Sequence, residues 1–178
     1  MPESTIASRR IYDGRILNLR VDTVELPDGK TSTREIVEHR GAVALVVLDA
    51  ERNVLLVRQY RKPLERYMLE IPAGTLERGE EPDKCAEREM QEETGFAARS
   101  FERIGGFFSA PGFCTEYLYL YLATDLTPSS LDGDEDESIE LVRMPFDQAL
   151  ALIDNGEICD SKSVAGLLLA ARRVGSSV

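Results

Sequence analysis

The sequence predicts an α+β fold, and three observations carry that prediction. Strand-like and helix-like stretches follow one another in mixed order along the 178 residues, with no internal repeat and no low-complexity segment. The apolar run GAVALVVL at residues 41–48 has the length of a buried strand and is too short for a membrane span of ~20 residues. Residues 81–94 read as a helix, with Pro82 in the first turn and Gly95 just past the last. Such an order packs as layers around a core.

Taken in order, residues 8–40 read as strands. Residues 15–25 alternate, with Ile16, Leu19, Val21 and Val24 partly on one face, and Pro27-Asp28-Gly29-Lys30 is a turn by composition. Residues 31–39 return, which makes a hairpin ending at His39. After the run at 41–48, Asp49 to Asn53 form a polar turn and residues 54–60 a second strand; residues 67–71 are a short strand before Pro72-Ala73-Gly74. Asp83 sits favourably at the positive end of the helix that follows. Residues 101–108 and 116–124 are strand-like and flank a loop at 109–115. Residues 126–138 are polar and acidic, residues 139–144 are another strand, and residues 146–154 and 161–173 are helical. In the last helix Val164, Leu167, Leu168 and Ala171 make an apolar stripe.

Composition narrows the function classes. A hydrophobic content of 43% supplies a sizeable core, which argues against disorder over most of the chain. A net charge of −11 speaks against a nucleic-acid binder, since phosphate backbones call for clustered Lys and Arg. Acidity is compatible with a small phosphate-bearing ligand, because a cation can bridge carboxylates to phosphates. Cys85, Cys114 and Cys159 are too few and too widely spaced for a disulfide framework or a zinc knuckle, so a reducing cytoplasm is expected. The first residues, MPESTIASRR, hold no apolar core of a signal peptide. His39 is the only histidine, which speaks against a Ser-His-Asp triad and against any two-histidine mechanism.

The chemistry concentrates in residues 74–96. Glu89, Glu92 and Glu93 fall at i, i+3 and i+4, so they share one helix face. Three like charges that close repel unless something positive sits among them. Arg88 can reach Glu92 at i+4 and offset part of the repulsion. A hard divalent cation would offset more, since Mg²⁺ prefers carboxylate oxygens.

This segment resembles the Nudix box, Gly-x5-Glu-x7-Arg-Glu-U-x-Glu-Glu-x-Gly-U, where U is bulky and apolar. Every fixed position agrees: Gly74, Glu80, Arg88, Glu89, Met90, Glu92, Glu93, Gly95 and Phe96. With residue types near ~7% of positions, such a set at fixed spacing does not arise by chance. The resemblance implies a Nudix α/β/α sandwich that binds Mg²⁺ or Mn²⁺. It implies Glu89, Glu92 and Glu93 as metal ligands or their close supports, Glu93 first among them. It implies that the backbone carbonyl of Ala73 joins them, and that Glu80 and Arg88 orient the site. Gly74 and Gly95 also read simply as turn residues.

The rest of the chain resembles the ADP-ribose pyrophosphatase branch of that superfamily, over roughly residues 8–155. Pro111 lies 16 residues after Gly95, within Ser109-Ala-Pro-Gly-Phe-Cys-Thr-Glu116, which is similar to the branch's Ser-Pro-Gly-x-x-x-Glu loop. Ala110 departs from it, standing where many members have Ser. Arg58-Gln59-Tyr60-Arg61 followed by Pro63, Leu69-Glu70-Ile71-Pro72-Ala73-Gly74, and residues 33–39 also resemble the branch. By this resemblance Arg34 packs against an adenine and Arg61 contacts phosphates. Glu70, Pro111 and Glu116 belong with the substrate-binding residues, Glu116 as a second carboxylate near the metals. The expected partner is a nucleoside diphosphate sugar, ADP-ribose first, split to AMP and ribose 5-phosphate. The general base is expected in the acidic loop, at Glu135 or else Glu137, with Glu92 as the fallback.

The branch also implies domain organisation: residues 1–40 as a small antiparallel β arm exchanged in a homodimer, and residues 41–178 as the Nudix domain. The alternatives are a hydrolase of ADP-glucose or GDP-mannose, a non-catalytic Nudix ligand sensor, or a housecleaning enzyme for oxidised nucleoside triphosphates. A complete box and a short stretch after residue 155 disfavour the sensor; the N-terminal arm and the Pro111 loop disfavour the last.

Overall fold

The computed structural model describes residues 2–129, 131 and 139–175. It divides into two units, one of Met1–Gly41 with Phe107–Tyr117 and one of Ala42–Gly106 with Leu118–Val178.

In the first unit, β1 (Ser4–Asp13), β2 (Leu17–Glu25) and β3 (Thr31–His39) form an antiparallel sheet in that order. The β2–β3 turn falls where composition places it, closed by Gly29 N–H to Leu26 O at 2.9 Å and Leu26 N–H to Lys30 O at 2.8 Å. Periodicity does not separate β1 as a strand. It is exposed along its whole length, so neither face imposes an apolar alternation on its sequence. The loop at 109–116 docks on the outer edge of β3: Val37 N–H donates to Phe113 O (2.7 Å) and Thr115 N–H to Val37 O (2.9 Å). The Pro111 loop thus belongs with the N-terminal sheet.

The second unit is built on a seven-stranded sheet. Its path runs β10 (Ile139–Pro145), β5 (Asn53–Arg61), β4 (Ala42–Leu48), β9 (Tyr117–Pro128) and β8 (Phe96–Phe108). β6 (Arg66–Glu70) pairs with β5, and the three-residue β7 (Ala73–Thr75) pairs with β4. β4 runs parallel to β9 and is buried at every position. A strand covered on both faces reads as an unbroken apolar run, which is what GAVALVVL is.

The two coverings are helices. On one face Cys85, Ala86 and Met90 of α1 (Pro82–Thr94) pack on Val43, Leu45, Val47, Leu55 and Tyr121. On the other, α3 (Ser161–Val174) comes so close that a Cβ on Gly166 would meet Ile71 Cδ1 at 2.8 Å and Val46 Cγ2 at 3.3 Å. Each fully buried Val or Leu here contributes about 1.5–3 kcal/mol. With α2 (Phe146–Asp154), this is the α+β fold expected, an α/β/α sandwich and a small antiparallel sheet. No helix among the described residues is long and apolar enough to cross a membrane.

Candidate functional site

The residues around α1 build the acidic centre. Pro82 opens the helix, and Gly95, with φ 74°, closes it by donating to Gln91 O. The register between those stops puts Cys85, Ala86 and Met90 in the core and turns Arg88, Glu89, Glu92 and Glu93 toward the surface.

Arg88 organises this face. Its Nε and Nη2 bond Glu80 Oε1 and Oε2 at 3.0 and 3.1 Å. Its Nη1 lies 2.7 Å from Glu89 Oε1 and 2.9 Å from Glu92 Oε2. Glu80 is held in turn by Glu77 N–H at 2.8 Å. The Arg88 hydrogen bonds lower the Glu80 carboxyl against a smaller opposing effect of burial. Those bonds, with the nearby Glu89, raise Arg88 further above its usual range.

The structure corrects the reading of Gly74 as a turn residue. It lies in β7 and has no positive φ, so it is no turn glycine. A Cβ there would meet Glu89 Cδ at 1.8 Å and both its carboxylate oxygens at 2.0 and 2.2 Å. The missing side chain is the space that the Glu89 carboxylate fills. Glu93 reaches the same strand, where its Oε2 accepts from Ala73 N–H at 2.9 Å. Ala73, whose carbonyl is expected to join the metal ligands, makes this contact through its N–H.

Among the described residues no three or more His, Cys, Asp or Glu side chains converge as a metal cage; Glu89 and Glu92 turn onto Arg88 instead. The donor set nonetheless fits a hard divalent cation. It offers carboxylate oxygens from one helix face, and the backbone beneath Glu89 is stripped of a side chain.

A second ionic cluster lies at the end of β6. Arg61 grips Glu70 with a two-pronged fork, Nε to Oε1 at 2.9 Å and Nη2 to Oε2 at 2.7 Å. Lys162 Nζ also bonds Glu70 Oε2, and bonds Asp160 Oδ1 at 2.9 Å. Burial alone would raise the Glu70 carboxyl. Arg61 and Lys162 outweigh it and hold the group down at about 2. Glu70, expected among the substrate-binding residues, has a side chain 3% exposed and paired with Arg61 and Lys162. Sequence does not single out Lys162; it lies 92 residues from Glu70, and no local pattern links the two.

In the first unit, Arg34 makes a fork with Glu3, at 3.0 Å from Nε and 2.6 Å from Nη2, and its Nη1 bonds Ser32 Oγ and Thr33 O. Pro111 starts a turn closed by Phe113 and Cys114 N–H groups on Ala110 O. Glu116 Oε1 stands 3.4 Å from His39 Nδ1, and Gly41 N–H donates to that nitrogen at 3.1 Å. His39 ends β3, as expected. Glu135 and Glu137 lie outside the described residues. The chain leaves β9 by Ser129, which is tied to Gly95 O and Gln91 Oε1 at the end of α1. It returns at Ile139 opposite Gln59 of β5.

The chain is similar to known proteins along most of its length. Residues 38–166 match the family described as NUDIX domain. Residues 3–37 match the nucleoside diphosphate sugar hydrolase N-terminal domain. An ADP-ribose pyrophosphatase of Bacillus subtilis (strain 168) is 44% identical over 92% of this chain and 89% of its own length. A methanol dehydrogenase activator of Bacillus methanolicus is 46% identical over 91% of this chain and 89% of its own. A solved structure titled as an ADP compounds hydrolase superposes with a TM-score of 0.86 at 24% identity, covering 98% of this chain and 95% of that one.

Proposed function

This chain belongs to the Nudix family, and from that premise we propose that it is a Mg²⁺-dependent pyrophosphohydrolase that splits ADP-ribose into AMP and ribose 5-phosphate. The observation that carries the reading is the Glu89 carboxylate seated over the bare backbone of Gly74, beside Glu92 and Glu93. The resemblance to the B. subtilis enzyme supports the choice of ADP-ribose.

Glu89, Glu92 and Glu93, with Ala73 beside them, would hold the ion, Mg²⁺ or Mn²⁺. When bound it neutralises the pyrophosphate and makes a water more acidic. Arg88 keeps Glu89 and Glu92 in place with Glu80 as its brace. Arg61 meets the phosphates and Arg34 packs on the adenine; a planar guanidinium suits both tasks. Pro111 and Glu116 belong with the substrate-binding residues. Water attacks one phosphorus, the bridging P–O bond breaks, and a carboxylate accepts the water's proton. Glu135 is the first choice for that base, Glu137 the second and Glu92 the fallback. Comparing Glu135→Gln with Glu137→Gln tests this: a large kcat loss in neither moves the base into the box.

Residues 1–40 serve as the β arm of a homodimer, and residues 41–178 as the hydrolase domain. Ile6, Ile11, Tyr12 and Ile16 of the arm are each about half exposed, apolar area that a second copy would cover. The free cysteines Cys85, Cys114 and Cys159 suit a reducing cytoplasm.

Product analysis with ADP-ribose, ADP-glucose, GDP-mannose and a nucleoside triphosphate tests the whole reading. Fastest release of AMP from ADP-ribose is expected. A preference for GDP-mannose or for the triphosphate would replace the substrate and leave the metal site standing.

A further inference from the structure

In the proposed function Arg61 meets the phosphates, and the role assigned below to its neighbour Lys162 rests on that reading. The partner of Arg61, Glu70, is buried. An isolated buried carboxylate costs several kcal/mol, so it must be paired. The Arg61 fork already satisfies both oxygens. Neutralising Glu70 therefore does not require a second cation, yet Lys162 is there, with its side chain 14% exposed.

The connections of Lys162 show what it adds. A fork fixes the guanidinium relative to the carboxylate, but the carboxylate can still turn about its broad terminal torsion and carry the arginine with it. Lys162 bonds Glu70 Oε2 from another element and restrains that turn. Lys162 is held by Asp160, whose Oδ1 also caps α3 by accepting Ser163 N–H at 3.1 Å. Ser163 Oγ accepts from Ile71 N–H at 2.9 Å, the residue next to Glu70. The bonds close a ring from Glu70 through Lys162, Asp160 and Ser163 to Ile71. The N-terminus of α3 is thereby clipped to the end of β6, and Arg61 hangs from the clip. Its charges balance, Arg61 and Lys162 against Glu70 and Asp160.

We propose that Lys162 is a positioning residue for substrate binding, acting through Glu70 to hold the Arg61 guanidinium in the orientation that meets the pyrophosphate. Without Lys162, Glu70 depends on Arg61 alone for its neutralisation and draws the guanidinium to itself. Substrate binding then weakens while the chemical step, carried by α1, continues.

The test is steady-state hydrolysis of ADP-ribose by Lys162→Met, Lys162→Arg, Arg61→Ala and the Arg61→Ala/Lys162→Met double variant, with thermal unfolding alongside. Lys162→Met is expected to raise KM about tenfold with kcat within about twofold, and Lys162→Arg to restore most of the loss. In the Arg61→Ala background the lysine change should add nothing to KM. A KM within twofold of wild type in Lys162→Met, or an equal rise in both backgrounds, overturns the proposal. If Arg61→Ala itself leaves KM unchanged, the phosphate role of Arg61 falls, and the role of Lys162 with it. If Arg61→Ala raises KM and Lys162→Met does not, only the lysine's role falls. Should Lys162→Met not fold, Asp160→Asn loosens the same lysine while keeping an oxygen to cap α3, and the same KM rise is expected from it.

Discussion

Two ionic clusters in the second unit are built around arginines, and their charges close differently. At α1 the Arg88 guanidinium meets Glu80, Glu89 and Glu92, and Glu93 stands on the same helix face. At the end of β6, Arg61 and Lys162 meet Glu70 and Asp160 in even number. The fold itself completes the balanced cluster, so that cluster can fix a geometry. In the pairs described, the first cluster holds more carboxylates than cations, and on the proposed reading a divalent cation completes it. On the proposed reading one holds a side chain still and the other recruits an ion, and changes in each should show in different measurements.

The largest effect is expected from Glu93→Gln. Removing one anionic oxygen ligand should cut kcat by roughly 10²–10³-fold, with thermal unfolding little altered because the Gln side-chain oxygen can still accept from the Ala73 N–H. Full activity in that variant would sink the assignment of α1 as the metal face.

Next comes the acid limb of stability, which belongs to the balanced cluster. Glu70 ionises near 2 in the folded protein against an ordinary value of 4.5. A depressed carboxyl contributes stability that is present above about pH 4.5 and lost as pH falls toward 2. Its loss should amount to about 2–3 kcal/mol. In Glu70→Gln that acid step should vanish from the melting temperature against pH. An unchanged acid limb would mean that Glu70 is not the ionised, doubly paired group described.

The smallest effect is expected from Gly74→Ala. Its Cβ would push the Glu89 carboxylate aside, and kcat should fall about tenfold. Only the tip of a side chain has to move, so folding should lose about 1 kcal/mol or less. Wild-type turnover would mean that the seat of Glu89 over the strand is incidental; a collapse in stability would mean that the glycine serves the backbone.

Much of this is legible in the sequence, for physical reasons that also mark where legibility stops. The helix of the box is expected at 81–94 and lies at Pro82–Thr94, because its stops are local chemistry, a proline and a left-handed glycine. β4 follows from its apolar run alone. β1 does not stand out, since an exposed strand needs no pattern. β8 begins at Phe96, directly after Gly95, earlier than the expected start at 101, because residues 97–100 show no clear alternation. Gly74 looks like a turn residue because its neighbour in space, Glu89, lies a loop and half a helix away in sequence. Lys162 is invisible for the same reason on a larger scale. Its partner Glu70 lies on a different element, and only the fold brings them together. The acidic face of α1, by contrast, is one helix, and the spacing of Glu89, Glu92 and Glu93 shows it directly.

The claim that α1 is completed by a cation is tested most directly by thermal unfolding with and without Mg²⁺, in the wild type and in Glu93→Gln. Binding to the folded state alone stabilises by about 2.7 kcal/mol at a hundredfold excess over Kd. A melting temperature that rises with Mg²⁺ in the wild type and rises much less in Glu93→Gln is the predicted result. No rise in the wild type, or the same rise in both, would contradict the account.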